Sequence, residues 1–313
     1  MTNTRNLYKK STVILMNMAR DLFLSEVGQQ VPTIQEYTDT FHVSRGIVQK
    51  AMETLIKDGS IQVEKRGVLG SYLTKADQEK LYAHTGWESI TGTMPIPMTP
   101  YFTSLATAIC EELSKAPVGI SFAYMSGSSK RAETLANGVY DFMVSSRSAA
   151  KLHMKEYPDL KICAELEGAE YSKEYVLYFL DPSKSEIEDG MRMGVDPVCE
   201  DQRVLTEKLC KGKNVEIVEF PFIGVEDILV NRKADCVVFR KIGWNEHAEH
   251  YQLNEVPIEG IRGFSIEDMN TPVVLVNDKN YGIDRLLAKY LDAARISEIQ
   301  QEVLRGDRTM KFY

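Results

Sequence analysis

The sequence predicts a protein of two parts: a small, mainly α-helical N-terminal domain that ends in a β-hairpin, followed by a larger α/β domain of two lobes. The chain has 313 residues, which is more than one small core needs and enough for two domains. Apolar residues recur at helical spacing in the first quarter, whereas short apolar strands alternate with helices from residue 90 onward. The fractions of 43% hydrophobic and 26% charged residues are typical of a globular protein.

Composition argues against membrane and secreted classes. No apolar run reaches the roughly 18 residues that would cross a bilayer. Lys9 and Lys10 precede an apolar stretch, as in a signal peptide, but Arg20 and Asp21 interrupt it and no cleavage site follows. The five cysteines are odd in number and lack a C-x-x-C pair, as expected of reduced thiols in a cytoplasmic protein. They are Cys110, Cys163, Cys199, Cys210 and Cys236.

Charge is distributed unevenly along the chain. Residues 1–75 contain 10 Lys+Arg and 7 Asp+Glu, a net charge of +3. The remaining residues carry 27 basic and 38 acidic side chains, a net charge of −11. A basic first quarter in an acidic chain indicates that contact with a polyanion is confined to that quarter.

Two helices are predicted at the start of the chain. Apolar residues spaced at i, i+3, i+4 and i+7 from Leu15 predict a helix over residues 11–26, and Gly28 ends it. Thr33 is an N-cap with Glu36 three residues later, which makes a capping box and predicts a short helix over residues 34–41.

A third helix and a hairpin complete the N-terminal domain. Ser44 caps a helix over residues 45–58, which Gly59 ends. Residues 61–64 and 71–74 are predicted strands, joined by the basic turn Lys65-Arg66-Gly67. Helix, turn, helix and β-hairpin in this order predict a winged helix-turn-helix.

The chemistry of this domain suits DNA. Arg45 and Gln49 lie at the start of the third helix, where side chains reach base edges in a major groove. Helix N-termini and the basic wing tip are suited to phosphates and to a minor groove. The predicted DNA-contacting residues are Thr33, Ser44, Arg45, Gln49, Lys50, Lys65, Arg66 and Ser71. The alternative is a winged helix used only for protein contacts.

The N-terminal domain resembles the winged helix of GntR-type bacterial regulators. The resemblance covers about residues 10–74 and rests on Val31-Pro32, Val43-Ser44-Arg45, Val48, Lys50-Ala51, Leu55, Gly59, Ile61, Lys65-Arg66-Gly67 and Gly70-Ser71-Tyr72-Leu73. It implies a DNA-binding regulator. The family usually has a phosphate-contacting arginine near the position of Gln35, and this chain departs from the family pattern there.

We expect domain boundaries at residues 1–74, 75–86 and 87–313. Residues 75–86 are polar and helix-prone, which predicts a linker helix that either transmits a shift between domains or is simply solvated. In the C-terminal domain, strands are predicted at residues 90–94, 118–124, 142–144, 161–166, 174–180, 191–195, 215–220, 236–240 and 273–276. Helices are predicted at residues 101–113, 130–138, 149–155, 200–210, 225–231 and 283–294. This alternation predicts the two-lobed α/β architecture of periplasmic binding proteins.

Polar loops follow several of these strands, at the sheet edge where open α/β folds bind ligands. Hydroxyl- and glycine-rich turns that open helices are suited to anions, and arginines can bind a carboxylate or phosphate. The predicted ligand-binding residues are Thr99, Tyr101, Ser126, Gly127, Ser128, Ser129, Arg131, Ser145, Ser146, Arg147, Asp196 and Arg240. A solvated turn is the simpler interpretation of each loop alone, but their repetition at equivalent places predicts a ligand site.

Most of residues 87–313 also resemble the effector-type domain of YhfZ-like regulators. The residues that carry this resemblance are Ser126-Gly127-Ser128-Ser129, the run from Asp141 to Ala149, and the run from Asp235 to Arg240. The resemblance implies a winged helix fused to a binding-protein-like domain.

Enzyme and metal chemistry have weaker signals. His247 and His250 are spaced for a metal, but a solvated pair is the simpler interpretation because no third ligand is fixed nearby. Ser148 and Lys151 form an S-x-x-K sequence without its partner motifs, and G-x-S-x-G, P-loop and G-x-G-x-x-G motifs are absent. We therefore expect no enzyme and no cofactor.

The hypothesis from sequence is a homodimeric transcription regulator that binds double-stranded DNA. A small, anionic metabolite in the cleft between the C-terminal lobes modulates its DNA affinity. The alternative is a solute-binding or enzymatic α/β domain whose winged helix makes protein contacts.

Overall fold

The computed structural model describes residues 8–172, 174–221, 231–241, 252–258 and 265–311. The chain divides into two compact units. The first unit comprises the chain up to Ile90 together with Lys279–Leu286, and the second comprises Thr91–Asp278 and Leu287–Tyr313. No helix in the described ranges is long and apolar enough to span a membrane.

The first unit is built on four helices whose ends follow the capping signals of the sequence. They are α1 (Lys10–Leu24), α2 (Ile34–Phe41), α3 (Arg45–Lys57) and α4 (Gln78–Thr85). The predicted capping box is confirmed, because Thr33 Oγ1 accepts from the Glu36 amide and the Glu36 carboxylate accepts from the Thr33 amide. Met18, Leu22, Val48 and Leu55 have no solvent exposure and form the core between α1 and α3.

Helix α4 is part of this unit. It packs along α1, and its Leu81 has no solvent exposure. Asp77 caps it by accepting from the Lys80 amide, so the helix begins at Gln78, inside the predicted linker segment of residues 75–86. The polar composition of residues 75–86 concealed this packing, because Leu81 and Thr85 are the buried residues of the helix.

The wing is a three-stranded sheet of order β1-β3-β2, with β1 (Gln30–Val31), β2 (Ile61–Lys65) and β3 (Ser71–Ala76). Its antiparallel register pairs Lys65 with Ser71, which confirms the predicted hairpin. The connection between β2 and β3 is a 3₁₀ turn over Gly67–Leu69. The apolar side chains of Val68 and Leu69 project from this tip into solvent.

The second unit contains two five-stranded sheets, which define its two lobes. Its strands are β4 (Ile90–Met94), β5 (Ile120–Tyr124), β6 (Phe142–Ser146), β7 (Leu160–Glu165), β8 (Tyr175–Phe179), β9 (Arg192–Val195), β10 (Glu216–Glu219), β11 (Cys236–Arg240), β12 (Asn254–Pro257) and β13 (Pro272–Asn277). The sheet of the first lobe has the order β5-β4-β6-β13-β7, and that of the second has the order β10-β9-β11-β8-β12. The helices of the second unit are α5 (Pro100–Leu113), α6 (Ser128–Ala136), α7 (Arg147–Glu156), α8 (Glu200–Leu209), α9 (Ile266–Asn270), α10 (Ile283–Tyr290), which continues from the first unit, and α11 (Ala293–Arg305).

Both sheets mix parallel and antiparallel pairs. β4 runs parallel to β6, and β13 is antiparallel to both β6 and β7. In the second lobe β9 is parallel to β10 and β11, whereas β8 is antiparallel to β11 and β12. The predicted α/β fold is confirmed, and most predicted elements differ from the observed ones by one to three residues at their ends.

The largest differences lie near the C-terminus. The predicted helix over residues 283–294 ends at Tyr290, and Asp292 caps a separate helix, α11, by accepting from the Arg295 amide. Strand β12 and helix α9 were not predicted, because both are too short to show a period. Most of the predicted helix over residues 225–231 lies outside the described residues, as does the His247 and His250 pair.

Candidate functional site

The surface of the first unit carries the predicted DNA-contacting residues in two groups. Thr33, Gln49, Lys65 and Ser71 line one groove of about 330 Å³, between the start of α2, the face of α3 and the wing. Ser44, Arg45, Lys50 and Arg66 lie outside its lining. Ser44 occupies the N-cap of α3 without a side-chain capping bond, and Arg45 begins that helix as an exposed side chain.

The two wing cations have different surroundings. Arg66 donates to the Glu64 carboxylate at 2.8 Å and lies over the ring of Tyr72 at 4.5 Å. Lys65 is exposed at the end of β2. At the position where the GntR resemblance implies an arginine, Gln35 donates to Asp39 of its own helix at 2.8 Å.

A cavity lies inside the second unit at the carboxyl ends of strands from both lobes. Its lining consists of Pro95, Ile96, Phe102, Ser126, Gly127, Ser128, Arg131, Ser145, Ser146, Tyr171, Asp196, Cys199, Asp201 and Arg240. The cavity volume is about 50 Å³. A water molecule needs roughly 10–15 Å³ of such space, so the cavity holds several waters or the polar group of a small ligand.

Eight of the predicted ligand-binding residues line this cavity: Ser126, Gly127, Ser128, Arg131, Ser145, Ser146, Asp196 and Arg240. The other four lie outside its lining and have other partners. Thr99 caps α5 by accepting from the Phe102 amide, and the Tyr101 carbonyl accepts from Gln300. The Ser129 hydroxyl donates to Glu200 at 3.2 Å. Arg147 is bound by Glu165 at 2.6 Å and by Asp268 at 3.4 Å, so its charge is already neutralised outside the cavity.

Arg240 is anchored by protein groups on several sides. Its Nη2 donates to Asp201 Oδ2 at 2.8 Å, and the two side chains are 11% and 6% exposed. Its guanidinium lies 4.9 Å from the ring of Tyr175 and 5.0 Å from that of Tyr171. Burial raises the pKa of Asp201, and Arg240 acts against that shift. The ion pair therefore fixes Arg240 in the cavity wall, while Arg240 Nη1 and Asp201 Oδ1 have no hydrogen-bond partner among the described residues.

Arg131 is a buried charge that forms no ion pair within the described part of the chain. It is 4% exposed, and its Nη1 donates to the Met125 carbonyl at 2.8 Å. Its Nε has no hydrogen-bond partner, and no carboxylate among the described residues lies within ion-pair distance. Burial lowers the pKa of this guanidinium, and the neighbouring Tyr171 opposes the shift. Burying a charge that is incompletely paired is costly in free energy.

Unpartnered hydroxyls accompany Arg131 in the lining. The buried oxygens of Ser145 and Tyr171 have no hydrogen-bond partner within the described ranges. Because a native protein rarely leaves such groups unpaired, they indicate contacts that a ligand or water supplies.

The sequence had not indicated Phe102, Tyr171, Cys199 or Asp201 as site residues. Phe102 belongs to the apolar face of α5, and Tyr171 lies in an irregular segment, so neither differs in pattern from a core aromatic residue. Cys199 and Asp201 follow β9 at the start of α8. This location at the end of a strand is the signal that could have identified them as site residues. Burial raises the pKa of the Cys199 thiol to about 11, so it is neutral and not a reactive thiolate.

The loops of the two lobes touch beside the cavity. Gly127 has a φ of +81°, and a Cβ there would lie 2.6 Å from the side chain of Val198. The Ser129 amide donates to the Val198 carbonyl at 3.2 Å, and Ser128 Oγ accepts from the Glu200 amide at 3.2 Å. Only glycine permits this close approach, because any side chain would push the loops apart.

Gly127→Ala is expected to destabilise the second unit. Alanine at positive φ costs about 1–2 kcal/mol, and displacement of Val198 adds about 1–3 kcal/mol. Gly212→Ala is the matched control, since Gly212 has the same φ of +81° but open space around it. Urea unfolding of the full chain measures both variants. Equal losses of unfolding free energy would show that the Val198 contact contributes nothing.

Among the described residues, no three His, Cys, Asp or Glu side chains form a group that could hold a metal ion.

Comparison with known proteins agrees with both halves of the fold. A family model described as the YhfZ C-terminal domain matches residues 77–312, and one described as a helix-turn-helix domain matches residues 26–73. Protein YhfZ of Escherichia coli (strain K12) is 30% identical over 310 residues, covering 97% of this chain and 98% of that protein.

Solved structures show the same architecture. YhfZ from Shigella flexneri superposes with a TM-score of 0.61 at 24% identity, covering 75% of this chain and 97% of that one. An ancestral arginine-binding protein bound to arginine superposes with a TM-score of 0.52 at 14% identity, covering 70% of this chain and 97% of that one. The second unit thus has the fold of periplasmic binding proteins, and the chain, with its helix-turn-helix and C-terminal domains, belongs to the YhfZ family.

Proposed function

We propose that this protein is a DNA-binding transcription regulator whose DNA affinity is set by a small ligand with an anionic group. The observation that carries the ligand half of the proposal is Arg131, a buried guanidinium that lines the cavity without an ion-pair partner among the described residues. A carboxylate or phosphate oxygen would accept from its free Nε and from the Ser145 hydroxyl.

The helix-turn-helix domain supports the DNA half. Arg45, Gln49 and Lys50 are exposed on one end of α3, the recognition helix of such a fold. Lys65 and Arg66 are exposed on the wing and carry charges suited to phosphates. In a homodimer, each subunit would place one such helix and one wing on a half-site.

The fold of the second unit supports the ligand half. One protein of the same fold is described as bound to arginine, which supports a ligand-binding role for this unit. Here the cavity draws lining residues from both lobes, so a ligand that contacts both would favour one arrangement of the lobes over another. Such a population shift would change DNA affinity by 5–150-fold for a coupling of about 1–3 kcal/mol.

Two measurements test this proposal. First, binding of the full chain to a duplex from upstream of its own gene is measured across salt concentrations. Second, carboxylated and phosphorylated metabolites are screened by thermal shift, since a ligand at 100 times its Kd adds about 2.7 kcal/mol of stability. A compound that stabilises the wild-type protein should fail with Arg131→Met and should alter DNA affinity. DNA binding that no stabilising compound alters would contradict regulation by the cavity.

One observation favours a different use of the winged helix. Val68 and Leu69 are exposed apolar side chains at the wing tip, which suits a protein contact as well as a DNA groove. In that alternative, the α/β domain is a solute binder or an enzyme, and the full chain has no salt-dependent affinity for DNA. The salt titration above distinguishes the two functions.

A further inference from the structure

We propose that Lys279–Leu286, here named the strap, transmits ligand binding from the cavity to the helix-turn-helix. This inference rests on the proposed function. The strap belongs to the first unit, although the chain on both sides of it belongs to the second. Two observations support the proposal: the contacts of the strap with the helices of the first unit, and its link along the chain to β13.

The first anchor is a buried carboxylate on α1. Asp21 is 5% exposed and accepts from Arg285 of the strap, with Tyr281 Oη also within 3.4 Å. Asp21 also accepts from the hydroxyl of Tyr37, on α2, at 2.6 Å. One carboxylate therefore joins the strap to both helices that precede the recognition helix.

The second anchor is the neighbouring residue, Arg20. Its Nη1 donates to the Tyr281 carbonyl at 3.1 Å, and its Nε donates to the Thr85 carbonyl of α4 at 2.8 Å. Its guanidinium lies over the ring of Trp87 at 5.1 Å. The strap is therefore also tied to α4 through the same arginine.

Ring packing fixes the middle of the strap. The ring of Tyr281 meets Phe41, the last residue of α2, edge to face at 5.0 Å, and Phe41 stacks on Tyr37. Gly282 has a φ of +86°, and a Cβ there would lie 3.3 Å from Arg20 Cβ. Movement of the strap would therefore act directly on the end of α2, which the turn at His42 joins to α3.

The strap is linked to the cavity through the polypeptide chain itself, by way of β13. The strap follows β13 after Asp278, and β13 pairs with β6 along its length. Val273 of β13 lies opposite Ser145, and Pro272 lies opposite Ser146, the two β6 residues that line the cavity. A displacement of β6 by a bound anion passes through the antiparallel pairing of β6 with β13, and then along the chain. The strap returns to the second unit at Leu287, so it is held at both ends.

The test measures amide hydrogen exchange in the full chain, with Arg131→Met as the perturbation of the cavity. We expect this substitution to change exchange in α1 and α2 by about fivefold, the lower end of typical couplings. In the Arg285→Ala and Tyr281→Phe backgrounds, Arg131→Met should leave hydrogen exchange in α1 and α2 unchanged. Arg308→Ala is the matched control, because it breaks a comparable ion pair with Glu111 in the second unit and should preserve the transmission.

A second arm adds the DNA duplex from upstream of the gene. DNA should change exchange in β6 and β13 of the wild type by a similar factor, since coupling is reciprocal, and not in Arg285→Ala. The proposed role of the strap is wrong if the change in exchange persists in the Arg285→Ala and Tyr281→Phe variants. It is also wrong if the change is absent from the chain with an intact strap. If the protein does not bind DNA, the proposed function is wrong instead. The exchange measurement with Arg131→Met needs no DNA and still tests the role of the strap.

Discussion

Replacing Arg240 with methionine is expected to lower the free energy of unfolding by about 3–5 kcal/mol. Methionine retains the apolar volume but removes the partner of Asp201, whose side chain is 6% exposed. The carboxylate would then be buried without its counter-charge, and three aromatic rings would lose the guanidinium that they surround. Urea unfolding of the full chain at neutral pH measures the loss.

Arg131→Met is the matched comparison, with the opposite expectation. Arg131 has no carboxylate partner in the described part of the chain, so its removal leaves no buried charge behind. We expect the ligand-free protein to lose no more than the roughly 1–3 kcal/mol of one unpaired carbonyl, that of Met125, offset by relief of the buried charge. Equal destabilisation by the two variants would mean that Arg131 is also structural, which would weaken its assignment to a ligand.

The cost of Arg240→Met should also depend on pH. Burial raises the pKa of Asp201 above its ordinary value, and loss of Arg240 would raise it further. The folded variant then binds a proton more tightly than the unfolded chain, so its stability rises as pH falls. The difference in unfolding free energy between variant and wild type should be largest near pH 7 and should shrink toward pH 5. A difference that is constant with pH would show that Asp201 is not the source of the loss.

The first unit could be predicted closely because its signals are local. The capping pair of Thr33 and Glu36 and the stop at Gly59 each act within one helical turn. The packing of α4 could not be read in this way, because burial of Leu81 depends on a helix more than fifty residues earlier.

The candidate cavity was predicted in position but not in electrostatics. Strand-end loops converge in any such sheet, so Ser126, Ser145 and Asp196 could be placed together from topology alone. The sequence could not tell which arginine would keep a free charge. Arg147 meets Glu165 and Asp268, which are 18 and 121 residues away along the chain, whereas Arg131 meets neither. Which charges cancel is a tertiary property.

Arg45→Ala is expected to have the largest effect on DNA binding. An arginine that contacts a base bidentately contributes about 1–3 kcal/mol, which corresponds to a loss of affinity of roughly 5–150-fold. Arg45 is exposed at the first position of α3, where the helix of such a domain enters the major groove. The loss should be greater for the duplex from upstream of the gene than for unrelated DNA, because a base contact reads sequence and a phosphate contact does not.

Lys65→Ala and Lys57→Ala separate this base contact from general charge. Lys65 is on the wing, and its loss should weaken binding to both duplexes equally and reduce the slope of log affinity against log salt by about 0.9. Lys57 lies at the opposite end of α3 from Arg45. Its loss removes the same charge from the domain without removing an expected contact with DNA. If all three variants reduced affinity alike, long-range attraction would account for binding. Only a sequence-dependent loss confined to Arg45→Ala supports the start of α3 as the part of the protein that recognises its DNA site.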